Sequence, residues 1–188
     1  MSDAQQAQAE LVEEFSFFDN WMDRYQYIID MGKALPEYPE ALKGPETKID
    51  GCQSNVWIHP EVRGEGSEQR LHFQATSDAA IVAGLIAVVL RIYNDRTPQE
   101  IVATQPTFLN ELGLDKHLSP TRSNGLHAML KRIYGVAELQ VREDAELAEL
   151  MVGRKVLLNV DKPPAKPGKT VLEVENLRVK DEDGIERL

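Results

Sequence analysis

The stretch SDAAIVAGLIAVVLRIY, residues 77–93, constrains the fold more than any other part of the chain. Ser77 or Asp78 can cap a helix over 79–93 that is apolar on nearly every side, and such a helix has to be covered all round. Lipid is not the expected cover. The uncharged run from Ala79 to Leu90 is well short of the roughly 20 residues that span a bilayer. The rest of the chain must therefore wrap this helix, which places it at the centre of a globular domain.

The surrounding sequence supplies the cover. Ala7, Leu11, Val12, Phe15 and Phe18 recur at helical spacing and predict an amphipathic helix over 5–18. Asp19 or Asn20 can cap a second helix carrying Trp21, Tyr25, Ile28, Ile29 and Leu35, which the proline-rich PEYPEALKGPE ends. NVWIHPEV (55–62) and QRLHFQAT (69–76) read as strands, and the polar, glycine-containing RGEGSE between them predicts an antiparallel hairpin. TPQEIVAT has a threonine cap, a proline at the first helical position and a glutamate three residues after the cap, which predicts a short helix. SPTRSNGLHAMLKRIYGVAEL repeats the Ser-Pro start and aligns Leu126, Met129, Leu130, Ile133 and Ala137 on one face. The expected class is α+β, a small antiparallel sheet packed against helices.

Beyond residue 142 the character changes. REDAELAELMVG can form one more helix, DKPPAKPGK reads as a linker, and TVLEVENLRVKDEDGIERL holds one alternating strand pattern before an acidic end. The expected organisation is one domain over 1–142 and an extension over 143–188.

Chemistry is narrowed mostly by what is missing. There is no Walker-type or dinucleotide-binding glycine loop, no GxSxG elbow and no CxxC, and His59, His72, His117 and His127 lack metal-ligand spacing. Neither a cofactor nor a resident metal is expected. A net charge of −10 argues against nucleic acid and anionic membranes as partners and favours a partner with a basic patch. The N-terminus MSDAQQAQAELVEEF has none of the regions of a signal peptide. With a single cysteine, Cys52, no internal disulfide is possible, so a reducing compartment, the cytoplasm, is the expected location.

Cys52 remains. A free cysteine is often just a small buried hydrophobe, but Gly51 permits left-handed backbone here, and Asp50, Gln53 and Ser54 make the setting polar. A thiol presented this way suits two roles. One is a Cys–His hydrolase, with His117 or His127 as base. The other is a carrier whose thiolate takes a sulfur from a partner and gives it up to another thiol.

GCQSNVW (51–57), SDAAIVAGLIAVV (77–89) and HLSPTRSNGL (117–126), together with NWMDRYQYIIDMGKALP (20–36), resemble the SufE family over roughly residues 8–140. The resemblance implies a fold shared with IscU-type scaffold proteins. It also implies a function. Cys52 would accept persulfide sulfur from a SufS-type cysteine desulfurase, stimulate that enzyme, and pass the sulfur to a SufBCD-type complex that assembles iron–sulfur clusters. PLP would belong to the desulfurase, and this chain would be a carrier and activator more than an enzyme in its own right. Gly51, Gln53, Asp78 and Arg122 would belong to the cysteine loop and partner surface. A CsdE-like acceptor serving a related desulfurase fits the same motifs, and a homodimer is a further candidate assembly. The tail is a departure from the family. Its VLEVENLRV is similar to the opening strand of ABC-type ATPases such as SufC, but no phosphate loop follows it.

Overall fold

A Gly-on-Gly crossing fixes the central helix. The computed structural model describes residues 1–51, 54–158, 179–180 and 186–187. Within it the apolar run forms α3 (Ala80–Tyr93), where ten residues from Ile81 to Tyr93 are buried. The second amphipathic stretch forms α2 (Trp21–Lys33), capped by the Asn20 side chain, which accepts from the Asp23 N–H. Leu35, expected on this helix, lies past its C-cap Ala34. Gly32 and Gly84 meet where α2 and α3 cross. A methyl group added at Gly32 would lie 2.5 Å from the Gly84 nitrogen, and one added at Gly84 would collide with the Ile28 carbonyl oxygen and its Cγ2. The two backbones touch because neither helix carries a side chain at the crossing.

The other elements close around this pair. The first helix, α1 (Asp3–Ser16), starts with a reciprocal Ser2–Gln5 capping box and buries Ala4, Ala7, Gln8, Leu11 and Phe15. Glu14 of α1 accepts from both the Arg91 guanidinium of α3 and the Tyr27 hydroxyl of α2. Arg91 holds the Glu14 carboxyl below its ordinary range, while burial pushes the Tyr27 hydroxyl up. One carboxylate thus joins three helices at the edge of the core.

The predicted hairpin is present, shifted by one residue: β1 (Val56–Arg63) pairs antiparallel with β2 (Arg70–Ser77), from Val56↔Ser77 to Arg63↔Arg70. Strand alternation sends Val56 and Ile58 of β1 and Leu71, Phe73 and Ala75 of β2 into the core. Single bridges widen the sheet on both sides, Lys48↔Trp57 beyond β1 and Leu71↔Arg96 beyond β2. Asp95, at φ 56°, turns the chain out of α3 so that its N–H reaches the Leu71 carbonyl.

The TPQEIVA segment forms α4 (Pro98–Ala103), with Thr97 capping the Glu100 N–H. The glutamate does not return to its own cap: Glu100 Oε1 accepts instead from the Ala4 N–H at 2.7 Å, tying α4 to the start of α1. Two four-residue helices, α5 (Phe108–Glu111) and α6 (Leu114–His117), were not foreseen. They bury Phe108, Leu109, Leu112 and Leu114 against the core. The last long helix, α7, runs unbroken from Pro120 to Leu158, so REDAELAELMVG continues it and is not a separate element. Leu126, Met129, Leu130, Ile133 and Ala137 are all buried, whereas no residue from Glu138 to Met151 is.

By its contacts the chain divides into Met1–Glu149 and Leu150–Leu188. In the second unit Val179–Lys180 (β3) pairs with Glu186–Arg187 (β4); the expected linker over 161–169 lies outside the described residues. Among the described residues no helix is long and apolar enough to cross a membrane.

The crossing gives a paired test. Gly84→Ala gains roughly 1 kcal/mol of helix propensity but forces α2 and α3 apart, and overpacking of this kind costs about 1–3 kcal/mol or more. Gly135→Ala in α7, where an added methyl meets nothing within 4 Å, has the propensity gain alone. Urea unfolding should show Gly84→Ala destabilised and Gly135→Ala stabilised. Equal stabilities for the two variants would mean that the crossing is not tight.

Candidate functional site

Two backbone hydrogen bonds set the ends of the cysteine loop. The Ile49 N–H donates to the Val56 carbonyl at 2.9 Å, and the Ile58 N–H donates to the Thr47 carbonyl at 2.8 Å. Residues 47–49 therefore run antiparallel to β1, and DGCQSN (50–55) is the loop between them. Its entry is anchored: Thr47 is buried, and its hydroxyl bonds with the Leu42 and Gly44 carbonyls and accepts from the Gly44 N–H. Lys43 lies over the Trp57 ring, 5.4 Å from its centroid. Gly51 follows at φ +87° with open space where a Cβ would project. Backbone conformation, not crowding, is what calls for glycine there. Cys52 and Gln53 lie outside the described residues.

Asp78 holds the exit of the loop. Its Oδ1 accepts from the Asn55 N–H at 3.0 Å and its Oδ2 from the Asn55 Nδ2 at 2.7 Å. The Asp78 N–H in turn faces the Asn55 carbonyl at 3.4 Å. This corrects the expectation that Ser77 or Asp78 caps α3. The cap position falls to Ala79, which has no side-chain bond to offer. Ser77 Oγ accepts from the Ala79 N–H, and both carboxylate oxygens of Asp78 accept from Asn55. A carboxylate one residue from the strand end can reach back along the hairpin, and here two donors on Asn55 meet it.

Arg122 faces the loop's exit across a small cleft. The cleft, about 100 Å³, is lined by Ser54 on the loop side, by Ala79, Val82 and Leu85 of the central helix region, and by Thr121 and Arg122 at the start of α7. Arg122 is exposed, with its guanidinium carbon 5.9 Å from the centroid of the Tyr25 ring, a cation–π distance. The structure thus ties Asp78 to the last residue of the loop and sets Arg122 across a cleft from Ser54. Asn55 completes this surface and was not singled out in the sequence, where Ser54 stood only as a polar neighbour of Cys52 and Tyr25 only as a residue of the second helix. Asn55 alone had a local signal, a short amide side chain at the start of a strand beside a turn.

Both histidines considered as bases are engaged elsewhere. His117 stacks on Trp21 at 4.3 Å between centroids and 15° between planes. The Nδ1 of His127 is 2.8 Å from the Ser123 carbonyl, one turn back along α7. Neither lines the cleft. Among the described residues no group of three or more His, Cys, Asp or Glu is placed to hold a metal ion.

Residues 9–137 match the family profile described as SufE, Fe-S metabolism associated domain. An uncharacterised SufE-like protein of Rhizobium meliloti (strain 1021) is 41% identical over 130 residues, 69% of this chain and 93% of the relative. One from Rhizobium etli is 41% identical over 132 residues, 70% of this chain and 89% of the relative. The solution structure of a hypothetical protein from Thermus thermophilus superposes with a TM-score of 0.59 over 72% of this chain and 96% of its own, at 18% identity. That likeness concerns the fold alone.

The Asp78–Asn55 contact makes a prediction. Asp78→Ala removes the acceptors from two Asn55 donors at an exposed site, for a stability loss of about 1 kcal/mol. Hydrogen exchange should quicken at the Asn55 amide while the amides within α3 keep their protection. Unchanged exchange at Asn55 would show that the carboxylate does not hold the loop.

Proposed function

Since the chain belongs to the SufE family, we propose that it is a sulfur acceptor that takes persulfide sulfur onto Cys52 from a SufS-type cysteine desulfurase, stimulates that desulfurase, and hands the sulfur to a SufBCD-type cluster-assembly complex. One observation carries the reading. The only thiol of the chain stands, inside the family-matched segment, in a six-residue loop whose two ends are tied to the sheet and to Asp78. A loop anchored at both ends can present its middle to a partner's site without disturbing the core.

The transfer is thiol–persulfide exchange. The Cys52 thiolate attacks the terminal sulfur of the donor's persulfide, a new S–S bond forms on Cys52, and the donor's S–S bond breaks. The donor cysteine leaves as a thiolate and takes up the proton that the Cys52 thiol gave up. No external oxidant or reductant is needed, because the same oxidised sulfur moves from one thiol to another. PLP chemistry belongs to the donor. Release repeats the exchange with a thiol of the assembly complex. Gly51 and Gln53 belong to the presenting loop, Asp78 holds its exit, and Arg122 supplies a positive charge across the small cleft from Ser54. The reaction requires reduced thiols, which places it in the cytoplasm.

The core domain is proposed to suffice. Because α7 continues past residue 142 and the first compact unit ends at Glu149, truncation after Glu149 should leave cooperative unfolding and sulfur acceptance intact. Loss of transfer with the fold preserved would instead make residues 150–188 part of the docking apparatus.

Cys52→Ser tests the acceptor itself. A hydroxyl is too weakly acidic and too hard to take a sulfane sulfur, so persulfide formation should fall to background. Thermal stability should stay close to wild type, because a polar loop tolerates the exchange; burying a hydroxyl in a core would cost about 1–3 kcal/mol. The measurement pairs a thermal melt with mass spectrometry after incubation with desulfurase and cysteine. A folded Cys52→Ser protein that still gains sulfur would end the reading, since no second thiol exists.

A further inference from the structure

A wide cleft begins a few residues before the cysteine. It measures about 660 Å³ and lies between residues 48–50 and the outer face of α7. Four cations line it: Lys48, Lys131, Arg132 and Arg142. All four are exposed, and among the described residues none of them is in an ion pair. Arg132 donates to the Glu46 carbonyl, at 3.3 Å. Two carboxylates, Asp50 and Glu138, share the cleft, so its balance is positive in a chain whose net charge is −10. Its floor is apolar, with Ile49, Ala128, Val136 and Leu139; Leu139 is 57% exposed although it is large and hydrophobic.

We infer that this cleft docks an acidic, partly apolar peptide segment of the protein that donates sulfur to the neighbouring loop. The inference rests on the sulfur-acceptor reading for the partner's role. The cleft's own chemistry chooses the ligand class. From Lys131 to Arg142 the cations follow about 17 Å of helix, at ~1.5 Å per residue, too long a track for one phosphate or small carboxylate. A lining that mixes apolar side chains with cations matches a chain carrying both carboxylates and aliphatic side chains. A nucleic acid would bring a dense line of phosphates against an otherwise acidic protein. Charge that is opposite to the bulk and located at the loop's entry guides a partner to the thiol and sets its orientation.

The test uses the full chain and a fluorescein-labelled ten-residue peptide of alternating glutamate and leucine, read by anisotropy. Wild type should bind it, more weakly as salt rises, since exposed charges are screened over about 8 Å at physiological salt. The pair Lys131→Glu, Arg142→Glu should weaken binding by at least about tenfold, and the pair Lys131→Gln, Arg142→Gln by a smaller factor. Lys33→Glu with Lys116→Glu makes the same change in net charge away from the cleft and should leave affinity within about twofold. In donor-dependent persulfide formation the first pair should raise the half-saturating concentration of the chain by about tenfold, with the extent at saturation unchanged. Peptide binding that the cleft pairs do not weaken, a half-saturation that they do not move, or a cleft that takes inorganic phosphate or an oligonucleotide but not the peptide would overturn the proposal. Peptide binding is read without sulfur chemistry, and Cys52→Ser should bind peptide like wild type. A wild-type chain that takes no sulfur therefore overturns the acceptor reading, whereas charge-reversal pairs that change nothing overturn the cleft.

Discussion

The bare contact between α2 and α3 at Gly32 and Gly84 sets the position of everything that matters for function. With no Cβ on either side, the two helices approach more closely than side-chain ridges would allow, and the central helix is fixed relative to its neighbour. The N-terminal end of that central helix is where β2 stops and Asp78 sits. The loop exit is held to Asp78, so the anchor of the cysteine loop is in effect an extension of the most buried element in the molecule. On the other partner of the crossing, α2 carries Tyr25, over which Arg122 lies. A shift of the helix pair would move the loop anchor and the arginine's aromatic support together.

Rigid anchors beside a short loop are a useful design for a carrier. A carrier has to offer its sulfur to a partner's site and withdraw it again, and it has to do so from a reproducible position for the encounter to be productive. The structure divides the two requirements. Backbone ladders at Ile49–Val56 and Thr47–Ile58 fix the stem, the Asp78 carboxylate fixes the last residue, and Gly51 relieves the backbone at the turn. Only the residues between remain to be positioned by the loop itself. Electrostatics divides in the same way, with bulk negative charge for solubility and cations collected on the cleft at the loop's entry and on the face beside its exit.

Much of the fold was legible because it follows from local periodicity. The all-round apolar pattern of α3, the Asn20 and Thr97 caps, the hairpin around RGEGSE and the buried face of α7 each depend on residues close in sequence. What could not be read is long-range competition for the same polar atoms. Glu100 had the right spacing to complete a capping box, but the start of α1 offers an N–H 96 residues away and takes it. Asp78 had the right position to cap α3, but Asn55 offers two donors. The α5 and α6 turns are only four residues each, too short to show a period, and they form because Phe108, Leu112 and Leu114 have a core to enter. The continuous α7 was hidden by a change of face: its apolar stripe ends at Ala137, and helix-favouring charged residues carry it on without burial.

The same contrast separates what motif and structure each contribute to the site. The motif names Cys52 and its neighbours, but a motif is silent about charge assembled from distant segments. Lys48 shortly precedes the cysteine in the chain, while Lys131, Arg132 and Arg142 come from a helix far downstream, and only the fold puts them on one cleft. Read as a sequence, a net charge of −10 points to basic partners alone. Read as a surface, it leaves a local reversal of sign beside the cysteine loop, and association rates respond to the local field a partner meets on approach more than to the total charge. A carrier that must dock, react and leave gains from such a field, because long-range attraction speeds encounter while the exposed, screened contacts add little to the lifetime of the complex.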